Sequence, residues 1–266
     1  MRKTWIIAAA TLLALALGAP VGSAHGVRRC HGPTFTNPTD IDNTYHPFVE
    51  FRIRLYELVK GEDELFVIDV FRPETRTFRL KDGTEVECAI LEEWEIEEGE
   101  IVEISRNYFA QSDRGTVFYF GEVVDIYEDG EVVSHDGSWL VGGPTDDDPE
   151  ETATAEKPAV FMPACPRVGD VWKPEDLPEA GIEEFVKALK YVRKVRVPAG
   201  RFCHVLKVRE KTPAIEFKWY APGVGFLKTK EGDEVLALIE LIDSEDEDGM
   251  LEDLDAILED LLEEEE

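Results

Sequence analysis

The sequence predicts a mainly β protein: a curved antiparallel meander, an open or partly closed barrel, with one or two helices that include an acidic C-terminal one. Two observations carry this. β-prone runs follow one another at Phe51 to Leu58, Leu65 to Phe71, Glu85 to Trp94, Glu100 to Gln111 and Thr116 to Tyr127. Between them stand Lys81-Asp82-Gly83-Thr84, Glu97-Glu98-Gly99-Glu100 and Glu128-Asp129-Gly130-Glu131, each with glycine where a tight hairpin needs positive φ. Turns this short leave no room for the crossover helices of a parallel sheet.

The elements follow in order. Arg2 and Lys3, the apolar run from Trp5 to Leu17 and the small residues from Gly18 to Ala24 have the layout of a cleavable signal peptide over residues 1–24. The run is shorter than the ~20 residues of a membrane span, and no later stretch replaces it, so a secreted, periplasmic or cell-surface location is expected. Residues 25–242 form the β domain, entered through a Pro- and Asn-rich segment. Within it, 142–157 reads as a mobile surface insertion, rich in Pro, Thr and acids without apolar periodicity. Further strands are expected at Ala159 to Met162, Arg201 to Glu210, Ile215 to Tyr220 and Glu234 to Ile242. Ile182 to Val197 is ambiguous: Ile182, Phe185, Val186, Leu189 and Val192 fit a helical stripe while Lys190 to Val197 is β-prone, which favours a helix running into a strand. In 243–266 an acidic linker leads to an amphipathic helix with Leu251, Leu254, Ile257, Leu258, Leu261 and Leu262 on one stripe. So short a helix needs a partner for that stripe, either its own domain or another chain.

The formal charge is −30, of which −14 falls on residues 243–266 and −16 on the rest. A field of that sign disfavours nucleic acid and anionic membrane surfaces and favours cations and basic partners; it also keeps an exported protein soluble. Four cysteines, Cys30, Cys88, Cys165 and Cys203, are an even count for an oxidising compartment and allow three connectivities. The favoured one joins Cys88 to Cys203, both in strand-like runs, and Cys30 to Cys165.

Candidate chemistry is sparse. His135, Asp136 and Ser138 supply the letters of a hydrolase triad, but alternate side chains of a strand face opposite ways, so no catalytic residue is assigned and catalysis is not expected. Metal is the better chemical reading. Cleavage after Ala24 would leave His25 with an α-amine beside its imidazole, a copper-like donor pair, with His31 and His46 near in sequence. Ser244, Asp246, Asp248, Gly249, Glu252 and Asp255 fall at the spacing of a calcium-binding loop, although Ser stands first and Asp replaces the final bidentate Glu. A solvated acidic linker is the alternative.

Several segments then align with a known pattern: Phe35-Thr36-Asn37-Pro38, Asn107-Tyr108-Phe109-Ala110, Phe118-Tyr119-Phe120-Gly121-Glu122, Pro198-Ala199-Gly200-Arg201-Phe202 and Tyr220-Ala221-Pro222-Gly223-Val224-Gly225. On these the chain resembles an uncharacterised family of exported bacterial β-rich proteins, a resemblance that implies no catalytic assignment. The last two segments are also similar to the closing turns of lipoprotein-carrier-like periplasmic β proteins. That similarity implies a concave sheet able to hold an apolar ligand, which Trp94, Phe109, Phe118, Phe120, Trp139, Trp172 and Trp219 could line, or these rings could fill a core. The function expected is an exported, non-catalytic binding protein for a small apolar ligand. The alternatives are an interaction or assembly module using the acidic helix, a copper or calcium protein, and an enzyme without a local motif.

Overall fold

The computed structural model describes residues 32–61, 64–212 and 214–262. It is mainly β, with 57% strand and 7% helix, and its large sheet is open rather than closed into a barrel. The first meander consists of β1 (Arg52–Lys60), β2 (Leu65–Arg79), β3 (Glu85–Glu97), β4 (Glu100–Gln111) and β5 (Val117–Glu128). Short strands follow: β6 (Glu131–Ser134), β7 (Trp139–Val141), β8 (Ala153–Ala155), β9 (Ala159–Met162), β10 (Val171–Trp172), β11 (Asp176–Leu177) and β12 (Ile182–Glu183). A second meander comprises β13 (Phe185–Val197), β14 (Gly200–Lys211), β15 (Ile215–Ala221), β16 (Gly225–Glu231) and β17 (Glu234–Asp243), and α1 (Glu247–Leu262) ends the fold.

Turn chemistry sets the hairpins. Glu98 and Gly99 have φ of 50° and 77°, and Asp129 and Gly130 have 51° and 76°. Two consecutive positive φ values are the two-residue turn whose twist matches the flanking strands. The registers Glu97 with Glu100 and Glu128 with Glu131 follow from it.

The two meanders join where β17 pairs antiparallel with β1, giving the order β10-β13-β14-β15-β16-β17-β1-β2-β3-β4-β5-β7-β8. Among the described residues only β7 with β8 is parallel. The sheet folds over on itself, because one apolar cluster joins Phe71, Leu91 and Phe109 of the first meander to Val186, Val208 and Tyr220 of the second. A second cluster gathers Tyr56, Leu58, Val67, Val205 and Leu227, where Ala199 donates to the Leu238 carbonyl at 3.1 Å.

The opposite face of β1–β3 is covered by α1. Asp246 caps the helix, its Oδ1 accepting from the Gly249 N–H at 3.0 Å, and Glu247 and Asp248 sit in the favourable first turn. Met250 and Leu254 are buried with Ile53, Leu55, Ile68, Val70 and Ile96. Leu251 and Leu262, expected on the apolar stripe, are 36% and 38% exposed, and Met250 takes the buried position instead. The stripe is covered by the protein's own sheet.

Three expectations are corrected. Ile182 to Val197 contains no helix: β13 alternates buried Val186 and Ala188 with exposed Phe185 and Lys187, and pairing along β14 overrides the helical spacing. Residues 142–157, read as an insertion, are tied to the fold. Asp148 accepts two bonds from Arg76 at 2.8 and 2.6 Å, β8 pairs with β7, and Thr152 and Ala155 are buried. The Cys88–Cys203 bridge is not formed. Cys88 is a buried thiol on β3, Cys203 an exposed one on β14, and five strands separate them in the sheet order. Cys165 is also a free thiol, and Cys30, its expected partner, lies outside the described residues with the signal peptide.

Gly121 is the position where the backbone has least room. Its φ is 125°, and a Cβ there would lie 2.0 Å from the carbonyl oxygen of Trp139, on the strand that pairs with it. Gly121→Ala is expected to lower the thermal unfolding midpoint by about 5–10 °C. Gly130→Ala, in a turn where a Cβ meets nothing within 4 Å, should cost clearly less. Equal losses would show that the Trp139 contact is not the constraint.

Candidate functional site

Register decides which side chains share a face. Arg54 of β1 lies opposite Asp69 of β2, Asp69 opposite Glu93 of β3, and Glu93 opposite Ser105 of β4. Two residues along, Glu95 lies opposite Glu103, and Asn107 opposite Glu122 of β5. In the second meander Lys218 lies opposite Val208 and Thr229, and Glu210 opposite Glu216. Thr229 continues through Leu236 to Leu58 of β1, so both sets project from one continuous face. That face is the inner side of the folded sheet. Glu175, before β11, and Glu184, before β13, approach it from the connecting segment.

Nine carboxylates therefore meet there, and the cations paired with them are Arg54 and Lys218. The Arg54 guanidinium is buried, 2.5 Å from Asp69 Oδ2 and 4.6 Å from the Phe71 ring centre, and donates to the Val224 carbonyl at 3.2 Å. Lys218 pairs with Glu210 and lies 4.0 Å from Glu216, which accepts from the Thr229 hydroxyl at 3.1 Å. Near the centre, Glu122 and Glu175 hydrogen-bond to each other, carboxyl to carboxyl. The Trp139 indole N–H donates to Glu175 Oε1 at 3.3 Å. One member of such a pair must hold a proton.

The electrostatics agree. Burial, with Glu103 and Glu93 adding to it, pushes the Glu122 carboxyl up to about 8 despite its hydrogen bonds with Glu175 and Tyr119. Burial raises Glu103 to about 7. Glu93, Glu95, Glu175 and Glu184 rise well above the usual range, through burial first and neighbouring carboxylates second. Glu93, Glu122 and Glu175 nevertheless keep some solvent-reachable surface, so the acid-lined groove is not fully sealed. At its end Glu184, Glu210, Lys218 and Trp172 line a cavity of about 50 Å³, and Glu184 Oε1, in a residue 7% exposed, has no hydrogen-bond partner.

The residues expected to carry function lie elsewhere. His46 is buried between the rings of Phe109 and Phe161, at 4.8 and 4.5 Å. Burial and then Arg54 push it down to about 3, so it is a neutral interior group. His25 and His31 lie outside the described residues. The calcium loop is not formed: Asp248, Gly249, Glu252 and Asp255 are inside α1, Asp246 is its cap, and Ser244 donates to Asp253 at 2.7 Å. Among the described residues no three His, Cys, Asp or Glu side chains converge as a metal site. Of the aromatic residues, Phe109, Phe120, Trp139 and Trp172 fill the first cluster and Phe118 packs against it. Trp94 packs against the third cluster and Trp219 against the second, so the expected rings line no common cavity. His135 Nδ1 lies 2.9 Å from Asp125 and 3.0 Å from the Val124 carbonyl, and Ser138 Oγ accepts from the Val124 N–H at 2.9 Å, which makes both structural. A separate hollow of about 370 Å³ is bordered by Asp42 and Asp113, whose carboxylates already accept from Gln111 and Thr36.

Sequence reasoning missed the acid groove. The signal was the run Glu93-Trp94-Glu95-Ile96-Glu97, in which acids alternate with apolar residues. Alternation normally marks a wet face and a dry one, but here both faces of β3 are covered. Comparison with protein-family models, with curated proteins and with solved structures finds no match to this chain.

The raised carboxyls make stability depend on pH. A carboxyl whose folded value is raised contributes stability in full below about 4.5, and this is lost as pH rises through the folded value. His46 acts oppositely, losing stability as pH falls from 6.5 toward 3, so it contributes no slope above 6.5. The thermal midpoint is therefore expected to fall by roughly 5 °C between about pH 6.5 and 8.5, and by less in Glu122→Gln. A flat or rising profile in that window would contradict the protonated groove.

Proposed function

We propose that this chain is an exported, non-catalytic binding protein whose acid-lined inner face takes up a small organic cation, an amine, in exchange for protons. The supporting observation is the hydrogen-bonded pair of Glu122 and Glu175. A proton already supplies positive charge where these two carboxyls converge, and an ammonium group can take its place. Trp139 donates to this pair, and its ring and that of Tyr119, in edge-to-face contact at 5.0 Å, are buried behind it and hold it in place. The spread of the carboxylates along the groove suits an extended amine better than a metal ion.

An apolar ligand has less support, since the rings expected to line its cavity are divided among three clusters. Glycoside hydrolysis, the commonest chemistry of paired carboxylates, requires separations of about 5–9.5 Å, and a pair in direct hydrogen-bond contact is too close. Export rests on residues 1–24.

Calorimetric titration of the protein with spermidine, in two buffers of different ionisation enthalpy near pH 7.5, tests the reading. Saturable binding with proton release is expected. Glu122→Gln combined with Glu175→Gln should weaken it by about tenfold or more and reduce the protons released. Absence of saturable heat in the wild type, or an unchanged double variant, would reject it.

A further inference from the structure

The net charge of the chain conceals a segregated one. Residues 185–230 contain twelve Lys and Arg against Glu210 and Glu216 alone, and both of those acids point to the inner face. The outer face of β13–β16 is organised in rows. Lys190, Lys207, Trp219 and Lys228 lie directly opposite one another on successive strands. Lys187, Arg209, Phe217 and Lys230 form the next row, and a bulge between Ala188 and Lys190 keeps both rows on the same side. Phe185, Lys211 and Ile215 form a third. With strands ~4.8 Å apart and alternate residues ~7 Å apart, neighbouring side chains on this face stand only that far from each other.

None of Lys187, Lys190, Lys207, Arg209, Lys228 and Lys230 forms an ion pair among the described residues. Burial lowers Lys207 and then Lys190, Lys228 and Lys230 lower it further; burial and Lys230 do the same to Lys228. These cations repel one another, and an anionic surface relieves that repulsion. Two large apolar side chains stand at the end of the rows, Phe185 and Ile215, 40% and 52% exposed.

We propose that this face docks the protein peripherally on an anionic lipid surface, its lysines against the headgroup phosphates and Phe185 and Ile215 entering the interface. Exposed apolar residues beside a dense basic face suit a bilayer better than a soluble polyanion. Single-stranded nucleic acid needs open rings for stacking, whereas the ring of Trp219 carries the ammonium groups of Lys207 and Lys228 at 4.5 and 4.7 Å. No helix among the described residues is long and apolar enough to cross a membrane.

Co-sedimentation of the full chain with phosphatidylcholine vesicles, with and without phosphatidylglycerol, tests this. Salt-sensitive binding to the mixed vesicles alone is expected, weakened by about tenfold or more in Lys207→Gln with Lys230→Gln. Should that variant not fold, Lys187→Gln with Lys211→Gln, at exposed positions, must show the same loss. Phe185→Ser with Ile215→Ser should weaken binding while leaving its salt dependence in place. Equal binding to both vesicle types, no binding to either, or capture of polyphosphate or single-stranded DNA without vesicle binding would each overturn the proposal.

Discussion

The pairing of β1 with β17 is the contact on which the rest of the structure depends. Every other long strand of the large sheet pairs with a neighbour in sequence, through turns that local chemistry specifies. β1 and β17 are joined across the whole domain. Their end is fixed by Arg52, buried at the seam, which donates to both carboxylate oxygens of Asp243 at 2.6 and 3.0 Å. Without this seam there would be two independent meanders, each with a half-covered face. With it, one continuous inner face exists, and the carboxylates of both halves are brought to face one another around Arg54, which the β1–β2 pairing sets against Asp69. The seam is also the costly step kinetically, because its loop must close before any of its contacts form.

That inner face is an unfavourable construction by ordinary folding criteria. Burying a carboxylate without a cation is expensive, and a buried carboxyl usually shifts its pKa and accepts a proton instead. The groove follows this rule: two ion pairs, a hydrogen-bonded carboxyl pair, and further acids whose surroundings favour the neutral form. Its opposite face, on the second meander, has the reverse problem of clustered lysines. Each face is strained by like charge, and the sheet between them holds the two sets apart. Stability is given up on the inner face and again on the outer face of β13–β16, as is common where a surface serves binding.

Much of the fold was legible in the sequence because its signals are local. The Glu-Gly and Asp-Gly turns fixed the hairpins of the first meander, and the acidic amphipathic tail became α1. What failed was non-local. Helical spacing between Ile182 and Val192 was a coincidence of residues that β14 holds in a strand. The acids of 142–157 looked solvated because nothing local reveals that Asp148 meets Arg76. The groove was hidden for a related reason: in a chain with 58 acids no pair of carboxylates stands out until the seam brings both meanders together. The basic face was masked by a sum, since a net charge records nothing of where the charges lie.

The carboxyl pair at the centre of the groove bears on that sum. The value of −30 counts every Asp and Glu as ionised, which describes the unfolded chain at neutral pH. The folded chain keeps protons on several inner carboxyls, so it carries fewer negative charges, and folding itself takes up hydrogen ions from solution. This molecule's charge is thus a conformational variable: unfolding would acidify the surrounding medium and make the chain migrate faster toward an anode at equal size.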